Sequence, residues 1–381
     1  MIAWMLGSGL LGLVLLGSPA VDEAPEPVSA TELESAVRGA VHWLVENQHD
    51  DGGWGSHHSP RPIEVLCDVP GSHNAFRVAT SGLCVSALLD SPLEGEAARK
   101  AASRGVDYLI GAHDVKRANK LEHYSVWAFG YALQAFGEWL QAYPDDPRRA
   151  EIEAACETLA VKLKKYQTLD GGWGYLSLNE VATYQPSFTS MSFTTATILV
   201  GVERAQEIGI RFDEKVLSRS LKFMKGSETP EGNFLYGEYL KYGPRTGINQ
   251  DKGSACRTPA CQYAIGLFGE QYSEEARRKA LDDLLVKHIR FQKIGVRRPI
   301  PHEAWYSISG YFYLYGMAYA GYVYRAMPEA DRTRFAKPLF DAVMYCHQPD
   351  GSFWDYPLYS YHKPYGTAYA LIALSRIQAE S

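Results

Sequence analysis

Across 381 residues, 44 acidic side chains outnumber 38 basic ones, for a formal charge of -6 at pH 7. That balance leaves no basic footprint and argues against nucleic acid as a partner. An apolar share of 46% excludes a disordered chain and supplies a large core.

Residues 1–20 read as a signal peptide. Ile2 to Gly17 is apolar, and the small residues Ser18 and Ala20 suit cleavage after Ala20. No Lys or Arg precedes the apolar run, so an uncleaved anchor is the alternative reading. Residues 21–30 form a linker and 31–381 a single domain. The expected location is secreted or periplasmic, with membrane contact only through an uncleaved N-terminal segment. Six Cys follow: Cys67, Cys84, Cys156, Cys256, Cys261 and Cys346. A domain this large needs no disulfide staples, and spacing does not select among their pairings.

From Thr31 onward, apolar periodicity predicts helices of two alternating kinds. Charged amphipathic helices are expected at Thr31–Gln48, Glu94–Gly111, Pro147–Gln167, Asp213–Lys225, Ser273–Gln292 and Asp331–Gln348. Each is followed by a polar loop and a helix rich in small, apolar and Tyr residues. These second helices fall near Asn74–Leu89, Tyr124–Ala142, Phe188–Ile208, Cys256–Phe268, Tyr306–Met327 and Tyr365–Gln378. A helix nearly free of charge must be buried all round. The pattern predicts an all-α (α/α)6 toroid: six helical hairpins, an inner ring of six parallel helices and an outer belt of six.

Sharp turns punctuate this series. The first is Gln48-His49-Asp50-Asp51-Gly52-Gly53-Trp54. The second is Gln167-Thr168-Leu169-Asp170-Gly171-Gly172-Trp173. A worn copy runs from Gln348 to Trp354, and a fainter one from Glu228 to Phe234. The spacing of about 55–65 residues marks an array of like units. With Arg38-Gly39 and Trp43-Leu44 ahead of the first turn, the pattern resembles the QW repeat of squalene and oxidosqualene cyclases. More broadly, the chain from Thr31 to Gln378 resembles the prenyltransferase and squalene-oxidase repeat group, which includes protein prenyltransferase β subunits. The resemblance implies the toroid, and a structural bracing role for Gln48, Trp54, Gln167, Trp173 and Gln348.

The engines of that group are missing. No Asp-x-Asp-Asp acid of class II terpene cyclases occurs, and no aspartate-rich diphosphate motif. Asp282-Asp283 and Asp145-Asp146 read as solvated charge or helix-start acids. Tyr365-Gly366-Thr367-Ala368-Tyr369 resembles the zinc-binding segment of prenyltransferase β subunits, but Gly366 replaces its His. Asp251 and Cys256 are too far apart for the matching Asp-x-Cys. No metal or cofactor is therefore expected, with His362 the one substitute for a zinc ligand. Phe268-Gly269-Glu270-Gln271 lacks the Cys of a thioester, and Cys346-His347 reads as a helix end. No Gly-x-Ser-x-Gly elbow supports a serine hydrolase.

Polar residues gather instead where the dry helices begin, Asp355 among them before the last. Parallel inner helices bring those starts to one mouth, where free N–H groups favour an anionic moiety. The expected binding residues there are His73, Arg77, His123, Tyr124, Trp127, Arg257, Trp305, Tyr306, Tyr311, Tyr315, His362, Lys363 and Tyr365. Candidate catalytic groups are His302, Glu303 and Asp251; a carboxylate beside an imidazole suits acid–base work. The competing reading is that such residues cap helices and pair with one another. Below the mouth, Tyr306, Tyr311, Phe312, Tyr315, Tyr319 and Tyr322 with Trp127, Phe188 and Phe193 are expected to wall an aromatic cavity. Aromatic faces suit carbocations, sugars or an apolar side chain. The ligand is a small molecule, lipid or glycan. Three readings follow: an enzyme on an apolar or isoprenoid-like substrate, a non-catalytic scaffold, and a carbohydrate-active, lyase-like enzyme.

Overall fold

The structure is a computed structural model describing residues 26–55, 70–93, 95–116, 124–175, 190–237, 243, 246–297, 308, 312–357 and 361–378. In chain order the helices are α1 (Ala30–Glu46), α2 (Pro70–Asp90), α3 (Glu96–Ala112), α4 (Ser125–Ala142), α5 (Arg149–Tyr166), α6 (Ser192–Glu207) and α7 (Glu214–Gly226). After these come a short α8 (Asp251–Ser254), α9 (Thr258–Leu267), α10 (Glu274–Asp282), a π-helical stretch at Asp283–Lys287, α11 (Ile289–Arg297), α12 (Tyr313–Arg325), α13 (Glu329–Met344) and α14 (His362–Leu374).

The alternation predicted from the sequence is the layer structure. α1 buries Ala36, Val37, Ala40, Trp43 and Leu44, a stripe at helical spacing, and keeps its charged face in water. Ser29 caps its start by accepting from Glu32 N–H; Asp213 and Ser273 do the same for α7 and α10. α4, in contrast, is buried on all sides, from Ser125 through Phe129, Leu133 and Phe136 to Leu140. The inner helices pack in sequence, α2 on α4, α4 on α6, α6 on α9, α9 on α12 and α12 on α14. Finally α14 packs on α2 and on α1, which closes the ring. Arg376 reinforces that seam by pairing with Asp90 of α2.

The recurrent turns brace the ring. In each, a glycine takes a left-handed φ: +89° at Gly52, +106° at Gly171 and +86° at Gly351. The next large residue sinks into the core and donates its backbone N–H to a hydroxyl on the following inner helix. The pairs are Trp54 to Ser81 (2.8 Å), Trp173 to Thr195 (2.9 Å) and Phe353 to Thr367 (2.9 Å). The Trp173 indole also donates to Leu163 O at 2.9 Å, covering the end of α5. Gln167 Nε2 donates to Gly171 O (2.7 Å) and Val216 O (2.8 Å), with Ser220 Oγ at 3.0 Å, tying its turn to the next outer helix. Gln48 ties its own turn to α3 through Gly52 O and Ala101 O. The fourth turn corrects the sequence reading. Gln348 N–H bonds Ser352 O just as Thr168 N–H bonds Gly172 O, so Gln348 occupies the Thr168 position. His347, one residue earlier, stands where Gln48 and Gln167 stand.

A second correction concerns Asp283, expected to be solvated. It is 3% exposed and is held by Lys279 (2.6 Å) and Lys287 (2.7 Å). Asp283 follows the buried Ala280 of α10 by three residues and so shares its inward face.

Candidate functional site

Hairpin topology delivers the starts of the inner helices to one end of the ring. There the aromatic side chains touch in an unbroken circuit. Phe76 of α2 meets Tyr124 at 4.8 Å, and Tyr124 stacks on Tyr175 at 5.6 Å. Trp127 of α4 lies 6.0 Å from Tyr175 and 5.9 Å from Phe193 of α6. Phe193 contacts Tyr236 (5.1 Å) and Phe312 (4.4 Å), and Phe312 leads to Tyr315 of α12 at 5.8 Å. Tyr315, Tyr369 and Tyr365 continue at 5.7 and 4.6 Å. His362 lies 4.8 Å from Tyr365 and 4.9 Å from Tyr361, which stacks on Phe76 at 4.5 Å and closes the loop. Phe193, Tyr236 and Phe312 are buried, while Phe76, Tyr124, Trp127, Tyr175 and Tyr365 retain part of their surface.

One carboxyl sits inside this collar. Asp355, fully buried, is delivered by the turn before α14. Its Oδ2 accepts from Leu314 N–H at 2.8 Å, so it caps the first turn of α12, where the helix dipole favours a negative charge. Its Oδ1 faces His362 Nδ1 at 3.5 Å and makes no hydrogen bond among the described residues. The Tyr356 ring lies 4.9 Å from the imidazole. A carboxyl and an imidazole at this distance, walled by rings, form an acid–base pair sheltered from bulk water.

Of the residues predicted from sequence, Tyr124, Trp127, Tyr315, His362 and Tyr365 come together in the collar. The others have different surroundings. Arg77 clamps the first turn, bonding both Asp51 oxygens at 3.1 Å and Gly55 O at 2.8 Å, with Tyr108 under its guanidinium. Arg257 is 1% exposed and donates to Phe234 O, Gly253 O and Ile248 O. Lys363 pairs with Asp350 at 2.6 Å and lies over the Trp43 and Trp354 rings. The charge of these three is committed to the protein itself. His73 is half-buried in the first turn of α2. His123, Phe188, His302, Glu303, Trp305, Tyr306 and Tyr311 lie outside the described residues.

Asp251 accepts from Asn233 Nδ2 (2.7 Å) and Lys279 Nζ (3.0 Å). Burial works to raise its pKa, but these two bonds outweigh burial and hold the carboxyl below its usual range. Asp251, Asp283 and His288 bring donor atoms within 4.8 Å of one another. Lys279 already bonds both carboxylates, so an ammonium supplies the cation there. Among the described residues, the three prenyltransferase-like zinc candidates each face another partner. Cys256 faces Gln292 at 3.5 Å, Asp251 faces Lys279, and His362 faces Asp355. At Gly366 a Cβ would lie 2.6 Å from Phe353 O, so the turn leaves no room for the missing His.

Sequence reasoning gathered Asp355 with the mouth residues but gave it no role, and it missed Phe76, Tyr175, Tyr236 and Tyr361. The spacing Asp355-x6-His362 was the available signal.

No protein-family model matches the chain. It is 25% identical over 248 residues to a probable squalene–hopene cyclase of Sinorhizobium fredii, a match covering 59% of this chain and 34% of the relative. The chain thus spans about a third of that relative's length. Among solved structures, a possible member of the GH105 family from Klebsiella pneumoniae superposes with TM-score 0.55 at 12% identity, covering 97% of this chain and 98% of that one. The type II terpene cyclase MstE from Scytonema gives TM-score 0.52 at 13% identity, covering 91% and 97%. The squalene-cyclase-like repeat and the α/α toroid rest on these likenesses together with the QW turns.

Proposed function

We propose that the collar binds an apolar, isoprenoid-like chain and that Asp355 and His362 act on it as a Brønsted acid pair. The observation carrying this reading is a buried carboxyl–imidazole pair set into a closed circuit of aromatic rings. The pair delivers a proton to an alkene carbon: the acid's bond to hydrogen breaks, a C–H bond forms, and a carbocation is left facing ring faces. Each well-placed desolvated ring stabilises such a cation by about 2 kcal/mol. The likeness to a squalene–hopene cyclase supports the substrate class, and acid–base chemistry of this kind needs no metal. The apolar segment 2–17 supports a location outside the cytoplasm, where such a substrate would be lipid-borne.

The GH105-like superposition favours a second reading, a glycan stacked on the same rings with the pair as its acid. Calorimetric titration separates the two. Squalene or a C20 isoprenoid alcohol in detergent is expected to bind, with affinity falling about tenfold in Trp127→Ala. Binding of α-1,6-mannotriose, the glycan bound by a toroidal α-1,6-mannanase from Salegentibacter, without isoprenoid binding would replace the first reading with the second.

A further inference from the structure

Hydroxyls fill the axis of the barrel beneath the acid pair. The Tyr365 and Tyr369 rings meet at 4.6 Å, and the Tyr369 hydroxyl bonds that of Tyr131 across the α14–α4 interface. The Thr197 hydroxyl of α6 faces Tyr131 and Tyr319. It reaches Tyr315 at 3.2 Å and donates to Phe193 O at 3.0 Å. One hydroxyl proton on Thr197 thus has several oxygens within reach. The upper end of this series touches the acid pair, because the Tyr365 ring lies 4.8 Å from His362.

The lower end meets a charged floor. The Tyr319 ring lies 5.9 Å from Tyr322 and 6.0 Å from Tyr263, both of which keep some accessible surface. The Tyr263 hydroxyl accepts from Arg204 Nη2 at 2.8 Å. Arg204 in turn holds Glu203 (2.7 Å), Glu207 (3.0 Å) and Glu138 (3.6 Å). One guanidinium therefore faces three carboxyls, and the second floor guanidinium, Arg376, is held by Asp90. Burial pushes the Glu203 carboxyl up to about 7 and raises Glu138 as well. Protons are therefore stored at this end near neutral pH.

We propose that the tyrosine hydroxyls of the barrel axis relay protons from the Glu203–Glu138 floor to the Asp355–His362 pair. The proposal rests on the acid role given to that pair. An apolar substrate seated on the collar separates the pair from water at the mouth, so reloading must come from the opposite end. Glu203 gives its proton to a water at Tyr322, that water protonates the Tyr319 hydroxyl, and each hydroxyl passes its own proton upward through Thr197, Tyr131, Tyr369 and Tyr365. The last O–H bond breaks as an N–H bond forms on the imidazole. No hydroxyl keeps a charge, and the net change is one proton moved from a carboxyl to the pair.

The test needs no substrate, so its failure and failure of the acid role are separate outcomes. In protein labelled with 15N-histidine, NMR reads solvent exchange of the His362 ring N–H, assigned by its loss in His362→Asn. Tyr131→Phe and Tyr369→Phe keep the rings and remove the hydroxyls; each is expected to slow that exchange at least tenfold. Tyr324→Phe removes a buried hydroxyl that meets Gln378 N–H off this axis, and is expected to leave the rate unchanged. Equal exchange in the wild type, Tyr131→Phe and Tyr369→Phe overturns the relay. Equal slowing in Tyr324→Phe also overturns it, by assigning the effect to packing.

Discussion

At the scale of single residues, the turns show how one side chain joins three elements. Gln167 is 2% exposed and its amide donates to two carbonyls, with Ser220 Oγ 3.0 Å away. Truncation leaves those acceptors buried, at about 1 kcal/mol or more each. Gln167→Ala is expected to cost about 2–4 kcal/mol in urea denaturation. Gln48→Ala, with two bonds in a half-buried site, should cost less. A smaller loss at Gln167 than at Gln48 contradicts the bracing role. Legibility at this scale follows backbone register. Gln48, Trp54, Gln167 and Trp173 were readable because their turns keep every glycine. The fourth turn was misread by one residue, since His347 replaces the Gln and an adjacent Gln348 imitates it. Arg257 was read as a ligand-binding cation of the mouth because sequence shows its charge but not the carbonyls folded round it.

Among elements, the wet–dry alternation was legible because it depends on composition over a dozen residues. The dry helices were read as nearly free of charge, which holds for their middles. Their last turns and exits carry Asp90, Glu138, Glu203, Arg204, Glu207 and Arg376, and these meet at the floor. Sequence hides this because each charge looks like an ordinary helix-end residue until the ring gathers them. The floor has a pH signature. An acid whose folded pKa lies above its unfolded value binds a proton on folding. Its penalty is absent below the unfolded value, near 4.3, and is complete above the folded one. For Glu203, raised by burial to about 7, stability should fall as pH climbs from about 4.5 to 7. Glu203→Gln is expected to unfold at a higher temperature than wild type at pH 8 and at the same temperature at pH 4.5. A lower melting temperature at pH 8 would show that the carboxylate form is the stabilising one.

For the whole molecule, ring closure creates the site. Phe76 and Tyr361 stack although 285 positions separate them, and Asp355 caps a helix that begins 42 residues before it. No local pattern encodes either contact. Both follow once α14 is packed between α12 and α2. Of the rings expected to wall a cavity, Tyr315 and Tyr319 are buried beside each other and Tyr369, whereas Trp127 keeps part of its surface. The aromatic surface available to a ligand therefore lies at the collar, one layer above, beside Asp355. On the proposed reading, Asp355 supplies the proton. The direct measurement is product formation from squalene by purified wild type, Asp355→Asn and Asp251→Asn, followed by gas chromatography–mass spectrometry. The prediction is cyclised or hydrated product from wild type and Asp251→Asn, with at least a hundredfold loss in Asp355→Asn although it still binds substrate. Undiminished product from Asp355→Asn contradicts it.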